Sequence, residues 1–62
     1  MTLRETIYKI HADKLHITDQ LTGEVVTVDS TEPGSLQTVQ RFLHCEVVEI
    51  EPAGPDVNIT VV

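Results

Sequence analysis

Aromatic side chains are nearly missing from this chain of 62 residues: there is no Trp, and Tyr8 and Phe42 stand alone. That excludes a stacking platform for bases or sugars, which needs several ring faces in series. Basic residues are also scarce, four Lys and Arg against ten Asp and Glu, for a formal charge of −6. Such a balance repels a phosphate backbone and forfeits the counterion release that drives nucleic-acid binding, so no direct contact with nucleic acid is expected. Cys45 is the only cysteine. No intrachain disulfide can form, and a reducing, cytoplasmic setting is the natural expectation. Gly23, Gly34 and Gly54 are isolated from one another and make no phosphate-cradling loop. The start, MTLRETIYKI, has neither a long apolar run nor a small-residue cleavage site. Neither a signal peptide nor a membrane-spanning helix is expected from it.

What the chain does have is alternation. The β-branched segments Thr6 to Ala12, Leu15 to Thr18, Glu24 to Val28, Glu46 to Glu51 and Val57 to Val62 are each bounded by turn-forming residues and predict five strands. A first hairpin turning at Asp13-Lys14 pairs Ala12 with Leu15, His11 with His16 and Ile10 with Ile17. A second, through Gln20-Leu21-Thr22-Gly23, pairs Ile17 with Val26 and Leu15 with Val28, with Gly23 suited to a left-handed closing position. Both turns gather Tyr8, Ile10, Ala12, Leu15, Ile17, Val26 and Val28 on one oily face.

One helical pattern, Ser35 to His44, lies between the third and fourth strands. Leu36, Val39 and Leu43 fall on one stripe with Phe42 on its flank. Pro33 and Gly34 punctuate its approach, and Ser35 is the expected N-cap; an earlier start, with Asp29 and Glu32 as a capping box, is the alternative. Pro52-Ala-Gly-Pro-Asp56 reads as the loop of a last hairpin. The expected fold is therefore α+β: an antiparallel β-sheet in the order β-β-β-α-β-β, with one amphipathic helix packed on one face, and residues 1–62 forming a single domain. A domain this small buries only about 60% of its unfolded surface, which makes a second copy of the chain a cheap source of further burial.

Candidate chemistry is sparse. The derived register sets His11 opposite His16 on the polar face, but two imidazoles without a third ligand do not make a zinc site, so no metal and no cofactor are expected. His44-Cys45 sits at a helix C-terminus, whose partial negative charge disfavours a thiolate nucleophile. No Ser-His-Asp arrangement is suggested, and no catalytic residue or enzymatic activity is expected. Two features remain for contact with other proteins. Glu46, Glu49 and Glu51 form the densest acidic run, with Glu49 and Glu51 pointing the same way from the fourth strand. They suit a basic surface on a partner, as in a small inhibitor or regulator that covers a nucleic-acid-binding site. The uncharged C-terminal strand carrying Val57, Ile59 and Val61 is the other feature, expected at a sheet edge where it would pair with a second copy as a homodimer.

Overall fold

The computed structural model describes residues 1–29, 31, 32 and 34–62, without the side chains of Ser35 and Leu36. The expected parts of Pro33 before the helix and of Leu36 in its stripe lie outside that description. The chain begins with a short helix α1 (Leu3–Ile7), followed by strands β1 (Lys14–Asp19) and β2 (Val25–Asp29). A helix α2 (Ser35–Val39) continues as a 3-10 turn over Gln40–Phe42, and strands β3 (Val47–Ala53) and β4 (Asp56–Val61) complete the chain.

The segment read as the first strand is the largest correction. Thr2-Leu-Arg-Glu5 is a capping box: the Glu5 backbone N–H donates to Thr2 Oγ1, and the Thr2 backbone N–H donates to a Glu5 carboxylate oxygen. Two amide donors that a helix start leaves without partners are thereby satisfied, and Leu3 and Ile7, four residues apart, turn to the core together with Thr6. The stretch from Lys9 to Ala12 contains no helix or strand. Asp13-Lys14 is accordingly no hairpin turn, and His11 has no strand neighbour.

The second hairpin holds its register. Ile17 stands opposite Val26 and Leu15 opposite Val28. Gly23, at φ 78°, takes the left-handed conformation that its loop requires. With no strand ahead of it, β1 takes β4 as its other neighbour, and the two run parallel. The sheet is thus four-stranded and mixed, in the order β2-β1-β4-β3. Two hairpins lie side by side with their first and last strands innermost. The expected all-antiparallel sheet is corrected on this point, and so is the place of Val57, Ile59 and Val61: they belong to an interior strand, and the edges are β2 and β3.

One face of the sheet forms the core. Leu15, Ile17, Val26, Val28, Ile59 and Val61 are buried there under Leu3, Ile7, Val39 and Phe42 from the helical segments. The expected helix to His44 is shorter, because α2 gives way to the 3-10 turn after Val39 and ends its ordered coil near Phe42. Its N-cap is Gly34, at φ 89° and with no side-chain hydrogen bond, which corrects the expected cap Ser35 to the first helical residue. Cys45 follows half-buried against the core, and His44 is exposed.

Candidate functional site

The opposite face of the sheet carries the polar alternates. Cross-strand register sets out two rows on it: Thr27, His16, Asn58 and Glu51, then Val25, Thr18, Thr60 and Glu49. Val25, Thr27, Asn58, Glu49 and Glu51 are exposed. A third row on the face sets Lys14 opposite Asp29, and on β3 the face carries Glu49 and Glu51.

The way β3 is built explains how three carboxylates share that face. Glu49 stands opposite Thr60 and Glu51 opposite Asn58, while Val47 stands opposite the buried Val61. A register shift between Val47 and Glu49 marks a β-bulge at Val48. Strict alternation would put Glu46 and Glu49, three residues apart, on opposite faces. The extra residue restores the match, since Glu46 exchanges both backbone hydrogen bonds with Val62, which alternates with Val61 onto the polar face. Glu46, just ahead of β3, therefore falls on the same face as Glu49 and Glu51 of the strand.

The three are not equivalent. A Glu46 carboxylate oxygen lies 2.9 Å from the Met1 ammonium, and this contact raises the ammonium pKa by hydrogen bonding first and charge attraction second. No ion pair to Glu49 or Glu51 exists among the described residues. Those two present their charge to solvent without a cation of their own.

At the centre of the face, His16 links three strands. Its Nδ1 lies 3.2 Å from Thr27 Oγ1 on β2, and its Nε2 lies 3.0 Å from Asp56 Oδ2 at the start of β4. The Asp56 partner has no signature in the sequence, because it depends on the parallel pairing of β1 with β4. Hydroxyl, imidazole and carboxylate in series have the composition of a nucleophile relay, with Thr27 exposed at one end and Asp56 half-buried at the other. The two contacts tie β2, β1 and β4 together on their uncovered side. His11, expected opposite His16, is exposed on the irregular segment that, with Pro55, bounds a shallow open depression. Among the described residues no group of three His, Cys, Asp or Glu is placed to hold a metal ion. No helix among them is long and apolar enough to cross a membrane.

Comparison with family models, with curated proteins and with solved structures finds no match to this chain. A functional reading therefore has to stand on the geometry of the face itself.

Proposed function

We propose that this protein acts by contact and not by catalysis, as a small acidic module whose β3 face covers a basic surface of a partner protein. The role that suits it is that of an inhibitor or regulator, for instance of a complex whose basic surface otherwise holds nucleic acid. The observation that carries the reading is the exposure of Glu49 and Glu51 side by side on β3, with Glu46, just ahead of the strand, brought to the same face by the register shift at Val48. A bulge costs ladder pairing, and here its effect is to concentrate like charge that strict alternation would have divided between two faces. Opposed charge on a partner would speed encounter and fix orientation, with the salt sensitivity that exposed charges carry.

The test is capture of partners from the native host or its target cell, with the wild-type chain and with the double substitution Glu49→Lys, Glu51→Lys. The expected result is a basic partner retained at low salt, released at high salt and lost with the double substitution. Retention that is indifferent to both salt and charge reversal would overturn the reading. Far-UV circular dichroism should be the same for both chains, because neither side chain is buried.

A further inference from the structure

The β3 edge has a second property that the acidic face alone does not explain: part of it is already used for strand pairing. Thr2 forms an antiparallel bridge with Glu46. The Leu3 N–H donates to the Cys45 carbonyl, and the Val47 N–H donates to the Met1 carbonyl. The first residues of the chain thus lie along the outer side of residues 45–47 like the beginning of a fifth strand. Beyond Met1 the edge continues past the bulge as Glu49–Ala53, with no backbone partner on its outer side among the described residues.

Which groups face outward follows from the hairpin. Gly54-Pro55 is a two-residue turn closed by Ala53 opposite Asp56. Ladder bonds alternate along an antiparallel pair, so Ala53, Glu51 and Glu49 bond inward to β4, and Pro52 and Ile50 turn their backbone outward. The position of Pro52 agrees, since a residue without an N–H is tolerated within a strand where that side faces an open edge. The free edge therefore offers the Ile50 N–H, the Ile50 carbonyl and the Pro52 carbonyl. Beside them, Ile50 is 42% exposed and Val48 51% exposed.

We propose that the Glu49–Ala53 edge receives an extended basic segment of the partner protein as an added antiparallel strand. The proposal rests on the acidic-face reading and specifies how that face is engaged. A residue opposite Ile50 would exchange two backbone hydrogen bonds with it and lay an apolar side chain beside Ile50, on the core side of the sheet. Its two neighbours would fall opposite Glu49 and Glu51 on the polar side, where Lys or Arg is complementary. The segment that fits alternates basic and apolar residues. A second copy of this chain does not fit. In twofold antiparallel pairings centred on Glu49, Ile50 or Glu51, which overlap most of the free stretch, Glu49 or Glu51 comes directly opposite a carboxylate of the other copy. Like charges in that position destabilise a strand pair. The same two residues that reject self-pairing select a basic strand.

The experiment is an NMR titration of the intact, isotope-labelled chain with a terminally blocked peptide of alternating lysine and valine, and with a scrambled peptide of the same composition. The expected result is slowed exchange of the Ile50 amide on binding, weaker binding of the scrambled peptide, and at least about tenfold weaker binding by the Glu49→Lys, Glu51→Lys chain. Three results would overturn the proposal, and they separate its failure from that of the underlying reading. If binding is sensitive to charge reversal but leaves Ile50 exchange unchanged, the acidic face stands and strand addition falls. If charge reversal leaves peptide affinity unchanged, or neither peptide binds, the acidic selection falls with it.

Discussion

The two edges of this sheet are built on opposite plans. On β2, Val26 and Val28 are 7% and 4% exposed, because α2 packs against this strand. On β3 no residue is buried, and its principal neighbour is β4 alone. Ile50 makes the contrast local: it stands directly opposite Ile59, which is fully buried, yet is itself 42% exposed. The helical layer of so short a chain covers only part of one sheet face. The covered side supplies stability, and the uncovered lip supplies surface.

The largest expected effect measures that asymmetry within one cross-strand pair. Ile59→Ala should cost about 2–5 kcal/mol, the range for deleting a buried aliphatic side chain and leaving a cavity. Ile50→Ala, one strand away on the same face, should cost less than about 1 kcal/mol because much of its side chain is already in water. Urea unfolding of the two variants decides it. Equal losses would mean that the β3 lip belongs to the core and that the two edges do not differ in kind.

Next in size is the anchor of the N-terminal segment. Thr2→Ala removes the acceptor for the Glu5 N–H and one side of the capping box, and should destabilise the chain by about 1 kcal/mol. The loss should also reach the strand-like contacts of Met1 and Leu3 with residues 45–47. Faster exchange of the Val47 amide, relative to that of Val26, is the expected signature. If Val26 responds as strongly, α1 supports both edges alike.

How much of this was legible depended on sequence distance. The pairs of Ile17 with Val26 and Leu15 with Val28 could be read because a single turn with a left-handed glycine fixes both. The pairing of β1 with β4 could not, since it joins segments about forty residues apart that share no turn, and the His16–Asp56 contact was hidden with it. Thr6-Ile7-Tyr8 is β-branched and aromatic enough to resemble a strand, and Thr2 to Glu5 was the signal that outweighed it. In the acidic run, alternation was enough to align Glu49 with Glu51. Glu46 joins them only through the bulge at Val48, and nothing in Val47-Val48 announces a bulge in advance.

The smallest expected effect is a difference in how the two edges respond to pH. At the end of β2, the Thr31 hydroxyl and then the Thr31 backbone N–H donate to Asp29 and hold its carboxyl below the usual range; the Thr2 backbone N–H and then its hydroxyl do the same for Glu5 in α1. A carboxyl depressed in the folded state stabilises it fully above its unfolded value, near pH 4, and loses that contribution as pH falls through the folded value. The Met1 ammonium beside β3 has the opposite sign. Its pKa is raised above the ordinary 8.0 by the Glu46 carboxylate, so its contribution is complete below that value and disappears as pH rises through the folded one. All three groups are exposed, and each effect should be small. Methyl resonances followed by NMR across the pH range should then show Val28 of β2 moving in acid alone, and Val47 of β3, which adjoins both Met1 and the Thr2–Glu5 capping box, moving in alkali as well. Met1 and Asp29 lie at opposite edges of the sheet, so the two responses should be separable, and a β2 methyl that moved with the Met1 titration would show that the edges are coupled through the sheet.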